Sequence, residues 1–244
     1  MPEPILLDGT ATAKEMRRET AARVQRLLDR HGLVPGLAAV LAGDNPASAT
    51  YVAMKRRACD KVGFRSVVHT FESGESTERI HACVAALNDD PTIHGILVQH
   101  PLPAGIDEPA ILAAVSPDKD VDGIGRASLG ELVKGDAPFV ACTPQGMVTL
   151  LDRYDIPIAG KHAVVIGRSV ILGKPMALLL LNRNATVTVC HSRTVDLAKY
   201  TRDADILVAA VGKPEMITGD MLKPGAVVLD AGYNRVPGRT HDVG

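Results

Sequence analysis

Apolar residues recur at two different spacings along the chain, and the two alternate. From Thr10 to Arg30, the residues Met16, Thr20, Val24, Leu27 and Leu28 fall three, four or one apart. That spacing predicts an amphipathic helix, closed by Gly32 and Pro35. Leu37 to Leu41 is a compact apolar run ended by Gly43-Asp44-Asn45-Pro46, as a buried strand and its turn are, and Ala47 to Val62 returns to helical spacing. Arg65–Phe71, Ile96–Gln99, Ala163–Ile166, Ala185–Cys190, Ile206–Val211 and Ala226–Asp230 are the other predicted strands. They are rich in Val and Ile, as parallel strands buried on both faces are. The alternation predicts an α/β protein with parallel sheets covered by helices. Between about Pro117 and Pro144 the period is lost among Gly123, Gly125, Gly130, Gly135 and Pro138, so the stretch reads as loop or linker. The domain boundary is placed near Cys142–Leu150, giving a first domain over 1–141 and a second over 142–244. No repeat of fixed period appears, which excludes solenoids and arrays.

The length, 244 residues, suits one large α/β unit or two modest domains. With 27 Lys+Arg against 28 Asp+Glu, the net charge of -1 offers no bulk field for nucleic acid or an anionic membrane surface. Three Phe, four Tyr and no Trp leave few platforms on which single strands stack. Cys59, Cys83, Cys142 and Cys190 lie far apart, without Cys-x-x-Cys or His-x-x-x-His pairs, which disfavours a zinc site and a disulfide framework. No apolar run approaches the ~20 residues that cross a bilayer, and Met1-Pro2-Glu3-Pro4 lacks a signal pattern. The expected setting is cytosolic and reducing, with no membrane or nucleic-acid partner and no metal.

Gly160-Lys-His-Ala-Val-Val-Ile-Gly167-Arg168-Ser169-Val-Ile-Leu-Gly173-Lys-Pro175 runs from strand through a glycine turn into a helix with proline near its start. This is the layout of a nucleotide phosphate site, where bare backbone and the N–H groups of a helix start favour a pyrophosphate. The spacing departs from Gly-x-Gly-x-x-Gly: Ser169 takes the middle place and Gly173 comes one residue late. The pattern alone leaves open a dinucleotide, a plain strand-to-helix turn, and another nucleotide such as S-adenosylmethionine. The next strand ends in Cys190-His191-Ser192-Arg193-Thr194 with no acid for a ribose 2′-hydroxyl. Ser192 and Arg193, with Arg168 nearby, suit a 2′-phosphate and favour NADP over NAD, solvated arginines being the competing reading.

In the helix after Asn45-Pro46, Ser48, Tyr51 and Lys55 lie within about 60° of one face, which continues as Val52, Cys59 and Val62. Arg56, Arg57 and Lys61 point elsewhere. Lys55 is thus directed inward, where an ammonium requires a task or a partner, unless it snorkels from the edge of an apolar face. Gly95-Ile-Leu-Val-Gln99 is a buried strand ending in a polar amide, and ligands of open α/β sheets gather beyond carboxyl ends. Pro117-Asp-Lys-Asp-Val-Asp122-Gly123 is an acidic loop that either presents a carboxylate to a donor-bearing ring or forms a solvated turn.

Taken together, Tyr51-Val-x-x-Lys55, Gly95-Ile-Leu-Val-Gln99-His-Pro-Leu-Pro103, Pro117-Asp-Lys-Asp-Val-Asp122-Gly123, Cys142-Thr-Pro-x-Gly146, Gly167-Arg-Ser-x-x-x-Gly173-x-Pro175 and Ala210-Val-Gly-Lys-Pro214 resemble the bifunctional methylenetetrahydrofolate dehydrogenase/cyclohydrolase (FolD) family. The resemblance implies an α/β fold of two domains with a cleft between them, the second a Rossmann-like doubly wound parallel sheet. It implies NADP on the second domain and folate against the first. It also implies two reactions: hydride passes from 5,10-methylenetetrahydrofolate to NADP, and water opens the methenyl product to 10-formyltetrahydrofolate. By the same resemblance Lys55 manages the proton transfers, Tyr51 orients the folate, Gln99 bonds to Lys55, Asp122 grips the pterin, and Ser48 and Cys142 are secondary folate contacts. Gly167, Arg168, Ser169 and Ser192 fall to the cofactor by the resemblance, Arg193 joins them from the strand-end reading above, Tyr233 stands at the nicotinamide contact, and a homodimer is expected. Tyr233 departs from the small aliphatic residue common at its place. Family members usually continue past the segment resembling Gly238–Gly244 with a folate-side loop and a returning helix, so the sequence as given is expected to lack that return segment. A dehydrogenase without the hydrolytic step, a non-catalytic nucleotide-binding regulator and an amino-acid or shikimate-type dehydrogenase are the competing classes. The first should lack Lys55 or Gln99, and the second leaves them unexplained.

Overall fold

The computed structural model describes residues 4–232. Within them the chain forms two separate parallel sheets and divides into two compact units, with the division between Ser128 and Leu129. The division falls earlier than the 141/142 position expected from the sequence.

In the first unit, α1 (Gly9–His31) is followed by β1 (Gly36–Ala42), α2 (Pro46–Val62), β2 (Arg65–Phe71), α3 (Thr77–Asp89), β3 (Gly95–Gln99) and α4 (Glu108–Ala114). The strand order is β2-β1-β3, with Ala42 opposite Phe71 and Leu41 opposite Gln99. Central β1 is buried on both faces, which is why its sequence shows a continuous apolar run and no alternation. One face packs Ala38, Val40, Ile96 and Val98 against Ile80, Val84 and Ile111. The other packs Ala39, Leu41 and Leu97 against Val52 of α2. Because β2 and β3 flank β1 on opposite sides and the helices that follow β1 and β3 pack on opposite faces of the sheet, their carboxyl ends are where an open α/β sheet places its ligand crevice. Both Gly43-Asp44-Asn45 and Gln99-His100 stand there.

The start of α2 is set by Asn45, whose Oδ1 accepts from the Ala47 N–H at 2.9 Å and the Ser48 N–H at 3.4 Å, with Pro46 in the first turn. At its other end Gly63 adopts φ 84°, a left-handed cap.

A 3₁₀ turn (Pro117–Lys119) and α5 (Arg126–Lys134) then lead to α6 (Cys142–Arg153), β4 (His162–Ile166), α7 (Gly173–Asn182), β5 (Thr186–Cys190), α8 (Leu197–Thr201), β6 (Ile206–Ala209) and β7 (Val227–Asp230). The second sheet runs β5-β4-β6-β7, all parallel, and reverses at β4 as the first does at β1. Val164, Ile166, Cys190, Ala204 and Leu207 form part of its core. No helix among the described residues is long and apolar enough to cross a membrane.

The predicted strands and the first two helices stand where the periodicity put them. The stretch expected to be loop holds α5 and the beginning of α6. In α5 only nine residues are helical, Gly130 sits mid-helix, and one of its two buried anchors is the polar Ser128, the other being Leu132. No apolar repeat could emerge from that combination.

Removing the Asn45 carbonyl oxygen leaves two N–H groups of α2 without their cap. We predict that Asn45→Ala lowers the unfolding free energy by about 1 kcal/mol in denaturant titration, while Asn45→Asp, which keeps the oxygen, stays within a few tenths. An equal loss in both variants would show that the cap does not anchor α2.

Candidate active site

Lys55 is half-buried on α2, whereas Arg56, Arg57 and Lys61 are exposed, so the helix does separate one cation from its basic neighbours. Ser48, Val52, Cys59 and Val62 complete the buried face, and Tyr51, one turn before Lys55, leaves 48% of its surface open to solvent. The Lys55 Nζ donates to Gln99 Oε1 at 3.3 Å. That is long for a charge-assisted bond and leaves two of the ammonium's three donors uncommitted to Gln99. The amide of Gln99 is held the right way round because its Nε2 donates to the His100 carbonyl at 2.9 Å.

Three aspartates follow in the Pro117–Gly123 loop, and the fold treats each differently. Asp118 is exposed. Asp120 is 5% exposed, accepting at Oδ1 from the Gly123 N–H (3.1 Å) and at Oδ2 from the Gly125 N–H (2.9 Å) and the Ser128 hydroxyl (2.6 Å). Between them, Lys119 sends its ammonium to the carbonyls of Leu87 (3.1 Å), Asn88 (2.7 Å) and Asp90 (2.8 Å) at the end of α3. There it complements the negative end of the helix dipole. Asp122 is half-buried. Burial pushes its carboxyl above the ordinary carboxylate range, the charges of Lys55 and His100 pull it back, and the negative charge of Asp120 adds to the rise. The structure thus brings Lys55, Gln99 and Asp122 into one electrostatic neighbourhood. Sequence reasoning missed His100, Asp120 and Ser128. The spacing Asp120, Gly123, Gly125, Ser128 was the available signal, since an aspartate before glycines favours turns in which its carboxylate takes backbone N–H groups.

In the second unit Gly167 lies at the end of β4 with φ 121°, its N–H donating to the Cys190 carbonyl at 2.8 Å. A side chain on Gly167 would run into the Ala210 carbonyl, and one on Gly173 into the Gly167 carbonyl. The late glycine therefore lets the start of α7 fold onto the end of β4. Leu172, the residue capping α7, contributes no side-chain hydrogen bond, and Ser169 substitutes in part, its carbonyl accepting from the Lys174 N–H (3.0 Å) and its Oγ from the Gly173 N–H (3.4 Å). Arg168 and Ser169 are exposed at this turn. Past β5, the His191 N–H donates to Thr194 Oγ1 (2.8 Å) and the Arg193 N–H to His191 Nδ1 (3.1 Å). That tight turn turns Ser192 and Arg193 outward. Ile166 is paired with Cys190, so the two turns leave adjacent strand ends. Close backbone, a helix start and exposed arginines on neighbouring turns fit the phosphates of a dinucleotide. Cys142 is the exposed first residue of α6 in the second unit, and Tyr233 lies outside the described residues. Among the described residues no group of three or more His, Cys, Asp or Glu could hold a metal ion.

Residues 7–122 match the family model for the tetrahydrofolate dehydrogenase/cyclohydrolase catalytic domain, and residues 141–244 that for its NAD(P)-binding domain. The chain is 56% identical over 231 residues to the bifunctional protein FolD of Acidovorax sp. (strain JS42), covering 94% of this chain and 82% of that protein. It is 54% identical over 236 residues to the FolD protein of Moorella thermoacetica, covering 97% and 84%. Among solved structures it resembles the FolD methylenetetrahydrofolate dehydrogenase/cyclohydrolase of Campylobacter jejuni, with 43% identity, TM-score 0.93 and coverage of 96% and 83%. It also resembles the FolD enzyme of Trypanosoma brucei complexed with NADP cofactor and inhibitor, with 37% identity, TM-score 0.94 and coverage of 100% and 86%.

Desolvated Asp122 has a stability consequence of definite sign. Its folded-state pKa lies above the value of 3.8 for an unperturbed carboxyl, so the protonated form favours folding. That contribution is full below the unfolded value and is lost as pH rises through the folded one. We predict that Asp122→Asn is more thermostable than wild type near neutral pH and that the advantage shrinks toward pH 4. Melting curves of both proteins across that range check it, and an advantage that grows on acidification would overturn it.

Proposed function

The chain belongs to the tetrahydrofolate dehydrogenase/cyclohydrolase family, and from that premise we propose that it oxidises 5,10-methylenetetrahydrofolate to 5,10-methenyltetrahydrofolate with NADP and hydrolyses the product to 10-formyltetrahydrofolate. The observation that carries the second half of this reading is the half-buried Lys55 ammonium bonded to Gln99 within the field of Asp122. Oxidation alone has no use for such a lysine.

Folate is assigned to residues 1–141 and NADP to residues 142–244. When bound, NADP supplies the hydride acceptor. In the oxidation, the folate nitrogen beside the reacting carbon releases electrons as hydride departs, so the protein's part is to hold the substrate at near-attack distance. Tyr51, exposed beside Lys55, lies along the folate. Asp122, ionised, only accepts, and so matches the adjacent N–H donors on the amino-pyrimidine edge of the pterin. Hydrolysis requires proton movement from the attacking water and to the departing ring nitrogen, and Lys55 handles both. Gln99 aims the ammonium through its fixed Oε1. Ser48 and Cys142 are secondary folate contacts by family resemblance. Bare backbone at Gly167 and the Ser169 turn take the pyrophosphate, and Arg168, Ser192 and Arg193 take the 2′-phosphate. Tyr233 is carried over from the resemblance as a nicotinamide neighbour. A cytoplasmic homodimer belongs to the same reading, and light scattering tests the dimer.

Separate absorbance of NADPH and methenyl folate tests the two reactions. We predict that Lys55→Met lowers methenyl hydrolysis by about a hundredfold or more while the folate affinity is kept. Near wild-type hydrolysis with an intact circular dichroism spectrum would remove Lys55 from the mechanism.

For the cofactor, replacing Arg168 and Arg193 together by Ala should weaken NADP and leave NAD nearly unchanged. Charge-assisted hydrogen bonds of this kind contribute roughly 1.5–3 kcal/mol each, about ten- to a hundredfold in affinity. An unchanged NADP/NAD ratio in parallel titrations would assign both arginines to solvent.

A further inference from the structure

Of the three carboxylates in the Pro117–Gly123 loop, one faces solvent, one is consumed by the fold, and one remains for a ligand. We propose that buried Asp120 is a positioning residue for the folate site: by gathering Gly123, Gly125 and Ser128 around its carboxylate, it fixes the loop so that Asp122 is presented beside Lys55. This rests on the reading of Asp122 as the pterin's partner.

The geometry leaves Asp120 little other work. Its two oxygens accept three donors that lie three, five and eight residues further on, which closes the chain into a compact ring around the carboxylate. Its backbone forms a parallel bridge with Ile96 in β3, three residues before Gln99. The Gly123 N–H, donating to the Asp120 carboxylate at 3.1 Å and to its backbone carbonyl at 3.0 Å, spans Asp122, so Asp122 sits inside the clamp, between a residue pinned to β3 and a glycine pinned to Asp120. On the other side Lys119 fastens the loop to the end of α3. Asp122 thus owes its place to both neighbours and to no hydrogen bond of its own among those described.

The charged groups that act on Asp122 are Lys55 from α2, His100 beyond β3 and Asp120 from its own loop. Asp120 consequently affects Asp122 twice, through the backbone and through its charge. Replacing Asp120 by Asn puts an amide N–H₂ where an oxygen took a donor: at Oδ1 it faces the Gly123 N–H, and at Oδ2 the Gly125 N–H. Ser128→Ala removes one donor and keeps the charge.

The test measures KM for methylenetetrahydrofolate, Kd for NADP, melting temperature and the pH dependence of folate binding in Asp120→Asn, Ser128→Ala, Ser128→Thr and Asp122→Asn. Asp120→Asn is expected to raise the folate KM about tenfold or more and Ser128→Ala by less, with NADP binding kept and Ser128→Thr restoring the wild-type value. The acid limb of folate binding should move to lower pH in Asp120→Asn, where the neighbouring negative charge is gone, and hold its place in Ser128→Ala. A purely structural role would not move that limb. If Asp122→Asn weakens folate while Asp120→Asn and Ser128→Ala leave its KM unchanged, Asp120 is not a positioning residue. If Asp120→Asn fails to fold, Ser128→Ala decides, and an unchanged folate KM there overturns the proposal. If Asp122→Asn itself leaves folate untouched, the assignment of the pterin to this loop falls instead.

Discussion

Parallel strand pairing on both sides of a buried central strand is the constraint from which the rest follows. A parallel neighbour can be reached only through a crossover, and a central strand with neighbours on both sides forces successive crossovers to leave in opposite directions. β1 imposes this in the first unit and β4 in the second. At each reversal the chain cannot cover the carboxyl ends of its own strands. The turn after β1 and the end of β3 are left to frame Lys55 and Gln99, and the turns after β4 and β5 are left to frame bare backbone at Gly167 and two exposed arginines. The enzyme's polar chemistry is therefore placed where the fold is least able to fill space with apolar side chains.

Within the Pro117–Gly123 loop, charge is handled by giving Lys119 and Asp120 structural partners and leaving Asp122 under tension. Lys119 satisfies three carbonyls and Asp120 three donors, so neither is available to a ligand. Asp122 carries the cost of its partly buried position, offset only in part by Lys55 and His100. A carboxyl in that condition is poorly satisfied until donors arrive, and the pterin proposed for this site carries paired N–H donors.

Much of this was legible in the sequence, for physical reasons that also mark where legibility ended. Strands buried on both faces write themselves as unbroken Val/Ile runs, and α2 writes Lys55 onto its apolar face, so both are visible in the sequence alone. The choice among Asp118, Asp120 and Asp122 was visible only through the family resemblance, because it depends on which carboxylate the backbone consumes, and that is decided by Gly123, Gly125 and Ser128 folding back. α5 was invisible for a related reason: Ser128, one of its two buried anchors, is held by a hydrogen bond, and periodicity registers only apolar burial. The late glycine at 173 looked like an irregular spacing, and its cause, the Gly167 carbonyl that would meet a side chain there, is a contact between backbone segments that no pattern of side chains encodes.

The pinning of the acidic loop from both sides bears on how its sequence can drift. Three consecutive charged positions, 118 to 120, answer to solvent, to a helix end and to a ring of donors, and the next charge, at 122, is the one proposed to answer to a ligand. Exchanging Lys119 with Asp120 would leave the composition and net charge of the segment unaltered while removing the partners of both. Alignment scores that treat acidic residues as interchangeable would rate Asp→Glu as equally mild at 118, 120 and 122, although the loop surrounds the three carboxylates differently. Divergence here should proceed at the outward-facing position 118 and stall at the other three.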